Sequence, residues 1–296
     1  MKIRKISFIR PKHKRIRIIK VPKVQIKKEE LKKGIFILPS LFTCGNISLG
    51  ILSIFSSIEG DFIKAAWFLI GALACDIIDG RIARMTKTTS VFGMQLDSLS
   101  DLVSFGIAPA VMMYMLVLES MEIIGIAIAI LYVICTALRL ARFNVLSQSG
   151  EIHKHFVGLP TPASAGVIVS FVLCYQLLAT GEYSLSFKTI PGLMTLMPAF
   201  LEFMPVVIVV LSFLMVSNIP YMSFKKIKLT KVRTIELLVV VIVLIILIVV
   251  YPQNTIFIIF TVYAVSGLLF YIPRIIMERN NRKKFLNQEK AEENDL

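Results

Sequence analysis

The sequence predicts an all-α integral membrane protein with about eight transmembrane helices and with both termini in the cytoplasm. Of its 296 residues, 56% are hydrophobic and only 18% are charged, whereas roughly a quarter of the residues in a soluble chain are charged. The apolar residues come in long uncharged runs, which excludes a water-soluble domain. The same apolar content excludes a disordered chain, because such chains lack the hydrophobic residues needed to form a core.

The uncharged runs give the number of helices, because a helix needs about 20 apolar residues to cross a bilayer. A final uncharged run, 237–273, is too long for one helix, and Tyr251-Pro252-Gln253-Asn254 divides it into a hairpin of two. The six preceding spans are predicted at residues 35–58, 65–83, 102–118, 123–138, 160–181 and 203–224.

The charges between the spans predict the orientation. Lys and Arg follow spans two, four, six and eight, whereas the alternate loops are acidic, mixed or uncharged. Positive charge in short loops marks the cytoplasmic side. We therefore expect a multi-pass protein of the plasma membrane whose even number of spans leaves both termini inside.

The net charge of +14 is concentrated at the N-terminus, where residues 1–33 hold fourteen Lys or Arg and two Glu. Two interpretations stay open: a basic tail resting on anionic lipid, or a small folded element covering the cytosolic face. A nucleic-acid partner is not expected, because the charge is not spread over a folded surface. The predicted division is a tail (1–33), a membrane domain (34–224), a basic loop with the hairpin (225–275) and a charged C-terminal tail (276–296).

Four of the six aspartates fall between Asp76 and Asp101. Asp76 and Asp79 are three residues apart at the end of span two, and Asp97 and Asp101 are four apart at the opening of span three. Both spacings place a pair on one helix face. Four carboxylates near a membrane interface repel one another and lose hydration, so a cation is needed to compensate, and oxygen donors suit Mg²⁺, Mn²⁺ or Ca²⁺. The sequence therefore predicts a divalent metal site.

The full pattern extends beyond the aspartates and resembles the signature of the CDP-alcohol phosphatidyltransferase family over roughly residues 35–220. The resemblance implies that all four aspartates hold a pair of Mg²⁺ or Mn²⁺ ions and that Asp101 doubles as the general base. It also implies a homodimer. The pattern reads Asp76-x2-Asp79-Gly80-x2-Ala83-Arg84-x8-Gly93-x3-Asp97-x3-Asp101.

The remaining positions of this pattern are expected to hold a CDP-lipid. By the resemblance, Arg84 contacts the pyrophosphate, while Gly80 and Ala83 leave room for the cytidine nucleotide against span two. Thr43 and Asn46 are polar residues near the cytosolic end of span one. They either form a hydrogen bond between helices or contact the cytidine base, as their family position suggests.

Four further stretches resemble the phosphatidylserine synthase branch of the family, which implies CDP-diacylglycerol and L-serine as substrates and membrane lipid as the surroundings. Arg139 and Arg142 lie in one of them and are candidates for the serine carboxylate, which an Arg fork matches with two hydrogen bonds. The alternative for both is anchoring at the interface. The stretches are residues 38–46, 137–144, 156–164 and 216–226.

Two other functions stay open at this point. The same fold could use another acceptor, such as glycerol 3-phosphate or an inositol phosphate, because these also attract arginines. A divalent-cation transporter could use the aspartates as a permeation site, but transporter sites usually lie near the bilayer midplane. The four aspartates instead cluster at one interface.

Overall fold

The computed structural model describes residues 37–86, 90–148, 156–180, 196–221, 234–267 and 269. The predicted basic tail, the C-terminal tail and most of the basic loop before the hairpin lie outside these residues. Within them, almost all of the chain is helical, as the apolar runs predict.

Helices occur at each place where the sequence predicts one. The described helices are α1 (Ile37–Ile58), α2 (Phe62–Thr86), α3 (Val91–Asp101), α4 (Ala108–Leu116), α5 (Glu122–Gln148), α6 (Thr161–Thr180), α7 (Met197–Val216), α8 (Thr234–Val250) and α9 (252–267). A π-helical segment, Leu102–Ile107, joins α3 to α4 without a break. A short 3₁₀ turn, Leu118–Met121, precedes α5.

Four helical stretches in the described part of the chain are long and apolar enough to cross a membrane. They are Ser40–Ile58, Val91–Leu116, Leu118–Ser147 and Pro198–Val216. The second helix is absent from this group because charged residues, including Asp76 and Asp79, interrupt its apolar sequence. The chain therefore has the helices of a membrane protein, and the number of spans stays a prediction.

Two helix boundaries differ from the prediction. Asp97 and Asp101 do not open the third helix; it begins ten residues before Asp101, where the Ser90 hydroxyl accepts a 2.9 Å hydrogen bond from the Gly93 N–H as an N-cap. Helix α5, which contains the predicted fourth span, continues to Gln148, so Arg139 and Arg142 lie inside it. Hydropathy marks the apolar part of a helix, whereas the helix itself ends where capping or a Gly or Pro ends it.

A two-residue antiparallel pairing ties the start of α6 to the end of α7. Strand β1 (Phe156–Val157) pairs with β2 (Pro220–Tyr221), with Phe156 opposite Tyr221. Gly158 follows with φ +82°, and a side chain there would meet the Met215 carbonyl, so glycine is required. The pairing fixes the entrance to α6 beside α5, which carries the two arginines.

The core lies mainly among α2, α4, α5, α6 and α7 and is built mostly of Ala, Leu, Met, Val, Ile and aromatic side chains. Tyr132, Phe171 and Met112 are fully buried in it. Helices α1 and α2 pack closely along their lengths, and α1 also packs on α3 and the π segment. This packing brings α2 and α3, the two helices with the aspartate pairs, to the same end of α1.

Candidate active site

Three of the four aspartates meet at one point. Asp76 on α2 and Asp97 and Asp101 on α3 each place a carboxylate oxygen within 4.8 Å of the other two. Asp101 is only 8% exposed, and the other two are half-buried. Three negative charges this close repel one another where water is scarce, so the arrangement calls for a cation.

The residues present fit a divalent metal ion. Asp101 Oδ1 is buried and has no hydrogen-bond partner, although buried polar atoms nearly always have one. Its neighbours are carboxylate oxygens, the donors that Mg²⁺ and Mn²⁺ prefer. A cation among Asp76, Asp97 and Asp101 would satisfy this atom and offset the repulsion.

Asp79, the fourth predicted ligand, lies outside this group of three. Its side chain is 4% exposed, and its Oδ2 accepts a 2.9 Å hydrogen bond from the Thr43 hydroxyl on α1. Arg84, one turn further along α2, is close enough to Asp79 and Asp76 to interact electrostatically with both. Asp79 therefore joins α2 to α1 beside the group of three.

Serine hydroxyls on both sides of Asp101 fix α3 against α1. Ser100 donates to the Thr43 carbonyl at 3.2 Å, and Ser104 donates to the Asn46 carbonyl at 2.9 Å. The two helices approach closely here, since a Cβ on Gly50 would lie 3.0 Å from the Ser104 Cα. Small residues allow such contact between membrane helices. Asp101 is thereby held between two attachments to α1.

The predicted CDP-lipid residues lie next to the aspartates. Asn46 is fully buried, and both its amide oxygen and its amide nitrogen lack a hydrogen-bond partner. On α2, the exposed Arg84 folds back over Gly80, with its Nη1 3.6 Å from where a Gly80 Cβ would be. Gly80 and Ala83 are half-buried. An unpartnered amide and an exposed guanidinium both retain capacity to bind a ligand.

The two predicted serine-binding arginines have different surroundings. Arg139 Nη1 donates to the Thr161 hydroxyl at 2.8 Å, and its guanidinium is close enough to Asp101 and Asp76 to interact with them electrostatically. Arg142 has other partners: Nη2 donates to Asn218 Oδ1 at 2.6 Å and Nη1 to the Val216 carbonyl at 3.3 Å. Arg139 lies near the aspartates, whereas Arg142 is hydrogen-bonded to the end of α7 and the residues that follow it.

Several residues around the site were not predicted as part of it. Thr161 orients Arg139, and Ser98, beside Asp97, exchanges hydrogen bonds of 2.9 and 3.1 Å with Asn144 of α5. Tyr263 of α9 lies near Arg139. Thr161 and Asn144 fall in the stretches that carry the branch resemblance. Tyr263 carries no sequence signal.

Comparison with known proteins defines the class. The model of the CDP-alcohol phosphatidyltransferase family matches residues 36–201, a range that contains all four aspartates, Arg84 and Arg139. The chain belongs to this family.

Curated relatives refine the likeness. A CDP-diacylglycerol–serine O-phosphatidyltransferase of Helicobacter pylori (strain ATCC 700392 / 26695) is 36% identical over 252 residues, which cover 83% of this chain and 97% of the relative. An archaetidylserine synthase of Methanothermobacter thermautotrophicus is 39% identical over 186 residues, 62% of this chain and 69% of the relative. A Bacillus subtilis enzyme with the same name as the first is 36% identical over 152 residues, which cover 51% of this chain and 84% of the relative.

Proposed function

We propose that this chain transfers a phosphatidyl group from CDP-diacylglycerol to L-serine, giving phosphatidylserine and CMP. The observation that carries the proposal is the group formed by Asp76, Asp97 and Asp101, in a member of the CDP-alcohol phosphatidyltransferase family. The relatives named above share serine in their names, which supports the acceptor. Family membership also argues against a cation transporter.

The reaction replaces a phosphoanhydride bond of the pyrophosphate with a phosphoester bond to serine. The serine hydroxyl oxygen attacks the phosphorus that carries the diacylglycerol, and the bond from that phosphorus to the CMP oxygen breaks. The hydroxyl proton needs a base within hydrogen-bond reach. We assign this role to Asp101, whose buried carboxylate belongs to the group of three and faces Arg139. CMP leaves with the electron pair of the broken bond.

Two divalent cations, Mg²⁺ or Mn²⁺, are proposed as cofactors held by Asp76, Asp79, Asp97 and Asp101. When bound, they would neutralise charge on the pyrophosphate and on the leaving CMP. Asp76, Asp97 and Asp101 are close enough to share one ion. Asp79 is one helical turn from Asp76 and is oriented by Thr43.

The nucleotide part of the lipid is proposed to bind along α1 and α2. Arg84 is exposed at the end of α2 and can offer two parallel N–H donors to the pyrophosphate. Gly80 and Ala83 are small residues and leave space for the nucleotide against α2. Asn46 has the unpaired amide that recognition of a pyrimidine edge would use, and Thr43 holds Asp79 beside it.

Arg139 is proposed to bind the serine carboxylate. It faces Asp101, the base, so a serine on Arg139 would bring its hydroxyl toward that carboxylate. Both arginines were candidates from sequence, and the hydrogen bonds of Arg142 to Asn218 and Val216 support a structural role for it. Glycerol 3-phosphate and inositol phosphate remain the alternative acceptors, since an arginine also binds phosphate.

The proposal extends to the setting of the enzyme. We place both termini and the active site on the cytoplasmic side of the plasma membrane, with eight spans, on the basis of the charges between the helices. We also propose, from the sequence and the family resemblance, that the chain divides after residues 33, 224 and 275 and that the protein is a homodimer. The lipid of the relatives differs, with diacylglycerol in one name and an archaetidyl group in another.

CMP release from purified protein tests the function. Protein in detergent micelles with CDP-diacylglycerol, L-serine and Mn²⁺ should release CMP, and omission of serine should stop it. A chelator should abolish release, and added Mg²⁺ or Mn²⁺ should restore it. CMP release that does not depend on serine would contradict the proposal.

A further inference from the structure

The π-helical segment directly after Asp101 has an identifiable cause in the sequence. In an α-helix the Phe105 carbonyl would accept the N–H of the residue four positions on, but that residue is Pro109, which has no N–H and whose ring collides with that carbonyl. The helix instead widens over Leu102–Ile107, and the Ala108 N–H bonds to the Val103 carbonyl, five residues back. Such wide turns occur frequently at functional sites.

A side chain from another helix also reaches this carbonyl. The Tyr132 hydroxyl on α5 lies 3.3 Å from the Phe105 carbonyl and donates a hydrogen bond to it. The same hydroxyl lies 3.1 Å from Ser164 Oγ on α6. Tyr132 is fully buried, so this hydrogen bond is shielded from bulk solvent. Phe105 is itself buried against Ala72 and Ala165.

The hydrogen bond of Tyr132 acts on a segment that begins at Asp101. Asp101 is the last residue of α3, and Ser104, inside the π segment, donates to the Asn46 carbonyl on α1. A change in the width of this turn would therefore move Asp101 relative to Asp76 on α2. Misplacement of a reacting group by about 1 Å can cost a factor of about one hundred in rate.

We propose that Tyr132 is a positioning residue for the transfer reaction: by bonding the Phe105 carbonyl, whose α-helical donor Pro109 removes, it holds the wide turn and thereby the Asp101 carboxylate. The inference rests on the proposed role of Asp101. It predicts an effect on the chemical step, because the Tyr132 hydroxyl contacts the Phe105 carbonyl and Ser164, neither of which is assigned to the nucleotide or to serine.

The first test compares two variants that each lose one buried hydroxyl bonded to a backbone carbonyl. Tyr132→Phe should lower kcat about five-fold or more and leave the KM values for CDP-diacylglycerol and serine nearly unchanged. Tyr221→Phe loses a 3.1 Å hydrogen bond to the Ala264 carbonyl and should keep kcat. Melting temperatures in detergent show whether both remain folded. Equal kcat values for the two variants would overturn the proposal.

The second test uses Pro109→Ala, which returns an N–H to position 109. In that background the Phe105 carbonyl has a donor in its own helix, so adding Tyr132→Phe should cost much less kcat than it does in the parent protein. Full additivity of the two changes would overturn the proposal, because independent sites add. The Asp101→Asn variant tests the proposed base separately. If it keeps full activity, the assignment of Asp101 as the base is wrong. The coupling between Tyr132 and Pro109 is measured in other variants and does not depend on that result.

Discussion

The Thr43 hydroxyl donates a 2.9 Å hydrogen bond to Asp79 Oδ2, from α1 to α2 and within the protein interior. This bond distinguishes Asp79 from the three aspartates that converge on one point. It also gives Thr43 a function that its sequence position alone left open between a contact linking two helices and a contact with the nucleotide. The structure shows the first, and the second remains a proposal.

Thr43→Val tests whether this bond serves the metal site. Removing a partner that orients a metal ligand typically weakens metal binding about ten-fold or more, so we expect the Mn²⁺ concentration for half-maximal activity to rise by about that factor. Thr43→Ser keeps the hydroxyl and is the matched control. If Val and Ser variants have the same Mn²⁺ requirement, Asp79 is not oriented through Thr43.

Replacing the aspartates one at a time separates metal binding from proton removal. Asp76→Asn, Asp79→Asn, Asp97→Asn and Asp101→Asn should each abolish CMP release. Asp101→Asn should nevertheless bind Mn²⁺ and CDP-lipid more tightly than Asp76→Asn, because its main proposed task is to accept a proton. Titration calorimetry of the purified variants measures this.

The control for these changes is Asp61→Asn. Asp61 is exposed at the start of α2 and accepts a 3.0 Å hydrogen bond from the Lys64 N–H, at the opposite end of the helix from Asp76. The Asp61→Asn variant should retain activity. An equal loss of Mn²⁺ affinity in all four site variants would argue against a separate base.

The two arginines should respond differently to replacement by lysine. Lysine keeps the charge and loses the planar fork, so Arg139→Lys should raise the serine KM about ten-fold, since a hydrogen bond to a charged group is worth about 1.5–3 kcal/mol. The KM for CDP-lipid should change little. Arg142→Lys, which alters the contacts to Asn218 and Val216, should lower stability and affect the serine KM much less. A serine KM that rises only in the Arg142 variant would reverse the assignment.

The orientation in the membrane is testable with reporters. A reporter after Glu59, after Glu119 or within residues 181–191 should be extracytoplasmic, and reporters on both tails should be cytoplasmic, because the basic loops alternate with acidic, mixed or uncharged ones. Protease protection or cysteine labelling in intact cells reads this out. An extracytoplasmic C-terminus would contradict the eight-span topology.

The fold class and the principal acidic residues could be predicted from the sequence, because apolar runs and helical spacing are local signals. Spacing placed Asp76 with Asp79 and Asp97 with Asp101. It did not show that Asp79 lies outside the group of three, because the Thr43 partner is 36 residues away. The early start of α3 depends on the cap at Ser90, which hydropathy does not detect.

Contacts made by folding account for what the sequence did not reveal. Arg139 and Arg142 carry the same charge on the same helix, and only their partners on α6 and after α7 distinguish them. The hydrogen bond between Tyr132 and the Phe105 carbonyl joins residues 27 apart. Pro109 could be recognised as a helix disruptor from sequence, but the residue that compensates for it could not.

Competition between acceptors tests the central claim most directly. Purified protein with CDP-diacylglycerol and Mn²⁺ is given equal concentrations of L-serine and glycerol 3-phosphate, and the lipid headgroups formed are quantified by mass spectrometry. The proposed function predicts that phosphatidylserine is the dominant product and that serinol, which lacks the carboxylate, is a poor acceptor. Phosphatidylglycerol phosphate as the dominant product would contradict serine as the acceptor.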